Sequence, residues 1–147
     1  MGRFGVVVLF AVLALGACGG RAPAPRACIQ AQPGDVLQAL AHTPGPVALG
    51  DGTSLSRCVR LTIDDTQLQA LGATLVAAAD RLAVRMRTSE AAAYRLGFLI
   101  GATARGSGQA AGLQGELANR IAGSAGPDGG PHRAALLRGR AAGWRHG

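Results

Sequence analysis

Three cysteines, at positions 18, 28 and 58, are the side chains best suited to covalent chemistry in this chain. A thiol can be acylated, oxidised to a disulfide or made to ligate a metal, and spacing and context decide which. Cys28 and Cys58 stand 30 positions apart with no close-spaced pair beside them, and none of His42, His132 and His146 has a second histidine or a cysteine four residues away. That is not the spacing of a zinc site, and no metal is expected. Asp64 and Asp65 are adjacent carboxylates, but consecutive helical residues point about 100° apart, so the two cannot flank one bond; helix capping accounts for them better. Gly101 to Ser107 has the glycines and hydroxyl of a phosphate loop yet lacks its lysine and follows a helical pattern instead of a strand. Ser54, Ser56 and Ser107 have no G-x-S-x-G context. No catalytic residue is assigned, and no cofactor is expected.

The context of Cys18 differs from that of the other two. Arg3 and the amino terminus form a short positive segment, Val6 to Leu15 is an apolar core, and small residues follow. This is the pattern of a secretory signal. The uncharged run from Phe4 to Ala17 is 14 residues, short of the ~20 needed to span a bilayer as a helix. Its end, Leu15-Gly16-Ala17-Cys18, resembles the lipobox of bacterial lipoproteins. The resemblance implies a diacylglyceryl group on the Cys18 thiol, removal of residues 1–17, and a mature chain held by lipid at the extracytoplasmic face of a bacterial membrane. Two other readings stay open: a transmembrane anchor, and ordinary secretory cleavage near Ala17 without lipid. Cysteine parity favours lipid. With Cys18 acylated, Cys28 and Cys58 form an even pair in an oxidising compartment, where small domains commonly rely on a disulfide; the alternative is two buried, unpaired cysteines.

The elements that must position these groups follow from length and patterning. A chain of 147 residues is sized for one domain. Residues 18–27, with alternating Ala and Pro after Gly19-Gly20, are expected to be a flexible tether, and residues 28–147 a single, mainly α domain. Asp35 is placed to cap a short helix through Val36, Leu37 and Leu40, ended by Pro44-Gly45-Pro46. Val47 and Leu49 alternate up to Gly50-Asp51-Gly52, with Leu55 and Cys58 beyond, which predicts a small N-terminal β-hairpin. Asp64 with Gln67 reads as a helix start, with Ile63 and Leu68 as a hydrophobic staple, and Leu68, Leu71, Leu75, Ala78 and Leu82 recur at spacings of 3 and 4 to about Met86. A second helix from Thr88 or Ser89 to about Arg105 is apolar nearly all round and is expected to be the most buried. A third carries Leu113, Leu117 and Ile121, and a short last one runs from Arg133 to Gly143 with Leu136 and Leu137 on one side. The expected fold class is therefore a small bundle of three to four helices with a β-hairpin subdomain pinned by Cys28 and Cys58. Ala93, Gly97 and Gly101 form a strip of small residues, read as the place where the first and second long helices approach.

The formal charge of +7 comes entirely from arginine, since lysine is absent. Much of it complements helix ends: Asp64 and Asp65 open the first long helix, and Arg85 and Arg87 close it. What remains is the C-terminal segment, where Arg133, Arg138, Arg140 and Arg145 occur with no acid after Asp128 and with Trp144 among them. It reads either as a solvated tail or as a contact for anionic lipid headgroups or an anionic envelope polymer. Nucleic acid is disfavoured, because the chain carries an export signal and only 3% aromatic residues for stacking. The function expected is a non-catalytic interaction or structural module of the cell envelope, with an envelope protein as a further possible partner. The alternative is an accessory subunit or enzyme whose site one sequence does not reveal.

Overall fold

The structure, a computed structural model, describes residues 23–108 and 111–147. The expected signal segment 1–17, Cys18 and the tether as far as residue 22 lie outside the described residues. Seven helices follow one another: α1 (Arg26–Ile29), α2 (Pro33–Ala41), α3 (Leu55–Leu61), α4 (Asp65–Arg85), α5 (Glu90–Ser107), α6 (Leu113–Gly123) and α7 (Arg133–His146). The mainly α class expected from the sequence is observed, with more helices than the three to four expected and no β-hairpin subdomain among the described residues. The fold also begins before Cys28: Ala24 is buried, and α1 starts at Arg26, inside the expected tether.

The hairpin fails for a physical reason. Its turn is present. Gly52 adopts φ 80°, the Thr53 N–H donates to Asp51 Oδ1 at 2.9 Å, and Ala48 and Ser54 form one isolated antiparallel bridge. Hydrogen bonding from Thr53, by its side chain first and its backbone N–H second, holds the Asp51 carboxyl below the usual carboxylate pKa. Beyond the bridge, however, Leu55, Cys58 and Val59 must all be buried. A strand would send residues 55 and 58 to opposite faces, whereas a helix puts i, i+3 and i+4 on one. The chain becomes α3.

The long helices form where their caps are written. The Asp64 carboxylate accepts the Gln67 N–H at 2.9 Å at the start of α4, and Ser89 accepts the Ala92 N–H at 3.3 Å at the start of α5. Each such cap contributes about 1 kcal/mol by satisfying an amide that the helix itself cannot. At α2 the roles differ from expectation: Gln32 is the cap, and Asp35 sits at the third helical position, accepting the Gln32 N–H at 2.9 Å in a capping box. The expected staple at α4 is not formed by burial of both members, because Leu68 enters the core while Ile63 stays exposed.

Helix α5 is central. Of its 18 residues 12 are buried, so it can be covered on all sides, and α2, α3, α4, α6 and α7 all pack on it. Leu71, Leu75, Ala78 and Leu82 of α4 fill one side of the core, and Leu117 and Ile121 of α6 close it. Polar side chains bind the layers together: Thr74 Oγ1 donates to the Ala31 carbonyl at 3.1 Å, and Gln114 Nε2 donates to the Val59 carbonyl in the last turn of α3 (2.9 Å) and to that of its C-cap Thr62 (3.2 Å). The Cys28–Cys58 disulfide joins α1 to α3, with both cysteines buried.

Candidate functional site

The residues singled out at the C-terminal end lie on α7, and the fixed position of that helix begins with glycine. A Cβ added to Gly97 would collide with the Leu136 carbonyl and stand 2.9 Å from the Arg140 nitrogen; one on Gly101 would stand 2.7 Å from the Trp144 nitrogen. The reverse holds from α7. A Cβ on Gly139 would meet the Tyr94 carbonyl carbon at 2.8 Å, and one on Gly143 would meet that of Phe98 at 2.8 Å and the Ala102 nitrogen at 2.9 Å. Ala93, Gly97 and Gly101 thus face Ala135, Gly139 and Gly143, both strips at i, i+4, i+8. Contacts advance together in residue number, so α5 and α7 run parallel, with α6 carrying the chain back between them. The expectation that the α5 strip approaches the preceding long helix is corrected: its partner is α7, whose Gly139 and Gly143 let backbone meet backbone along the seam.

The end of α7 is fastened separately. The Arg105 guanidinium donates to the Arg145 carbonyl at 2.8 Å and to that of Gly147 at 3.3 Å, and the Ser56 hydroxyl also donates to Gly147. A cation there satisfies carbonyls left open by the helix and opposes the negative end of its dipole. At the other end, Arg138 Nη2 meets Glu90 Oε1 at 2.7 Å, an exposed pair of the kind that contributes at most about 1 kcal/mol.

With one face sealed, the opposite face is determined. Ala135, Leu136, Gly139, Ala142 and Gly143 point inward, leaving Arg133, Leu137, Arg138, Arg140, Ala141, Trp144 and Arg145 exposed. Leu136 is 7% exposed and Leu137 is 51% exposed, so the two leucines do not share a side as the sequence reading had them. At 100° per residue, Trp144, Leu137, Ala141 and Ala134 fall in one sector of roughly 80°. Arg133 and Arg140 border it on one edge, Arg138 and Arg145 on the other. The segment is an ordered helix with its four arginines exposed to solvent. The five residues marked out in the sequence, Arg133, Arg138, Arg140, Trp144 and Arg145, are brought together on one surface. Leu137 and Ala141 were missed, although their spacing from Trp144, at seven and three residues, was the available signal.

The other candidates are spent on structure. Gly101 to Ser107 lies within α5 and forms no loop. Asp64 caps α4, and Ser56 holds Gly147. An open depression of about 420 Å³ is bordered by Gln30, Asp35, Gln38 and His42, but the Asp35 carboxylate is committed to its capping box. No cluster of three or more potential metal ligands occurs among the described residues. None of the described helices is long and apolar enough to cross a membrane. What the site defines is a helical bundle that displays one basic, tryptophan-bearing helix face. Compared with protein-family models, curated proteins and solved structures, the chain matches none.

Proposed function

We propose that this chain is an exported, non-catalytic module of the bacterial cell envelope, held to a membrane by lipid on Cys18, with its helical bundle serving as a contact surface for other envelope components. The observation that carries the reading is the Cys28–Cys58 bond. It uses two of the three cysteines, and disulfides of this kind persist in oxidising compartments. The third cysteine is then the one that ends Leu15-Gly16-Ala17-Cys18, where the resemblance to a lipobox requires a free thiol to acylate. The non-catalytic part is supported by what the polar groups do. Asp64 and Ser89 cap helices, Asp35 completes the capping box of α2, Gln114 closes α3, and Arg105 and Ser56 fasten α7.

Metabolic labelling with a fatty-acid analogue tests the anchor. The natural chain, expressed in a bacterium, is expected to take up label and to partition with membranes. Cys18→Ala is expected to lose the label and to accumulate as the longer, uncleaved form. Equal labelling of the two would contradict the proposal.

A further inference from the structure

We infer that the outer face of α7 lies flat on an anionic lipid surface, so that the bundle is oriented on the membrane as well as tethered to it. The inference rests on the anchored reading above for the membrane's nearness, and on the geometry of α7 for the contact itself.

Three observations point to lipid. The apolar sector of Trp144, Leu137 and Ala141 has arginines on both edges, Arg133 and Arg140 on one and Arg138 and Arg145 on the other. A helix lying in an interface needs this arrangement: its apolar strip enters the headgroup–acyl boundary while long cationic side chains on either flank reach up to phosphates. An arginine fork binds a phosphate through two parallel N–H donors. Second, the charge carried by the helix itself is of one sign. Helix α7 contains no acid, and of its four arginines only Arg138 forms an ion pair among the described residues. Third, the apolar residues are large and uncovered: Leu137 is 51% and Trp144 52% exposed. At 14 residues, α7 is about 21 Å long, enough to lie along a surface and too short to cross it. Its inner face cannot peel away to bury that strip elsewhere, because backbone meets backbone at Gly97, Gly101, Gly139 and Gly143.

Trp144 is the only tryptophan in the chain, so its fluorescence reports this face alone. The test reconstitutes the protein as purified from bacterial membranes into vesicles of phosphatidylcholine with or without phosphatidylglycerol. Flotation reports the anchor, and quenching of Trp144 by lipids brominated near the headgroup reports α7. In anionic vesicles the emission is expected to shift to the blue and to be quenched, with little of either in neutral ones. Arg140→Gln with Arg145→Gln leaves the glycine seam and the Arg138–Glu90 pair intact; with an unchanged circular dichroism spectrum, it is expected to lower the anionic-to-neutral quenching ratio by about fivefold or more, as high salt should. Chains that float with both vesicle types while Trp144 stays unquenched in the anionic one would overturn the inference and leave the anchor standing. Chains that fail to float with neutral vesicles yet are quenched by anionic ones would overturn the anchor and support the inference. A Trp144 shift produced by a soluble acidic polymer, without quenching by brominated lipid, would also overturn it and assign the face to such a polymer.

Discussion

Gly139→Ala is expected to destabilise the protein by about 2 kcal/mol or more, against the direction helix propensity alone would give. Inside a helix, alanine is better than glycine by about 1 kcal/mol. At Gly139, however, the new methyl would stand 2.8 Å from the Tyr94 carbonyl carbon and 3.0 Å from the Phe98 nitrogen. These atoms are backbone of the central helix. They cannot rotate aside as a side chain would, so α5 and α7 must separate along their whole length. Overpacking ordinarily costs about 1–3 kcal/mol, and opening the seam would add the loss of contacts at Gly97, Gly101 and Gly143, whose added Cβ atoms would meet backbone in the same way. Gly97→Leu is expected to be worse still, exceeding the upper end of that range. Gly34→Ala in α2 is the control, since beyond its own turn of helix no atom lies within 4 Å of a Cβ there; it is expected to be neutral or to stabilise by up to about 1 kcal/mol. Denaturant melts of the three variants beside the parent give the signs. A midpoint for Gly139→Ala at or above that of the parent would contradict the seam.

The second large effect belongs to the disulfide. Cys28 and Cys58 close a loop with a sequence separation of 30, and loop-closure entropy for such a ring contributes about 3–4 kcal/mol. Small domains have roughly 5–15 kcal/mol in total, so much of this protein's margin depends on one bond. Both sulfurs sit in the core, where a free cysteine packs as a small hydrophobe; the loss therefore arises mainly in the unfolded chain. The reduced protein is expected to melt about 10–15 °C below the oxidised one. Because the bond is buried, reduction should be carried out in denaturant and followed by refolding with reductant present. Equal melting temperatures for the two forms would contradict a stabilising bridge.

Where the sequence was legible, local chemistry and periodicity agreed. Asp64 with Gln67, and Ser89 with the apolar run after it, mark helix starts because a side-chain oxygen must meet an orphan amide; both caps are made. The 3 and 4 spacing from Leu68 to Leu82 corresponds to the buried stripe of α4. Where it was not, two signals competed. Gly50-Asp51-Gly52 announces a turn, and the turn exists, but the next residues obey the helical spacing of Leu55, Cys58 and Val59 rather than continuing a strand. The small strip on α5 was legible as a site of close approach and not as an address. Naming its partner required noticing the same spacing at Ala135, Gly139 and Gly143, which a basic, tail-like composition obscured. The candidate surface was half legible for the same reason. Charge drew attention to the arginines and Trp144, while the placement of Leu137 and Ala141 between them depends on which side of α7 meets α5, a tertiary fact.

The central claim, an exported module with lipid on Cys18 and a bond between Cys28 and Cys58, is tested most directly by one intact-mass measurement on the protein extracted from native membranes and alkylated without reductant. The expected species begins at Cys18, carries the added mass of a diacylglyceryl group with or without a further acyl chain, and takes up no alkylating reagent. A chain that retains residues 1–17 with an alkylated, lipid-free Cys18, or that takes up reagent at Cys28 and Cys58, would contradict it.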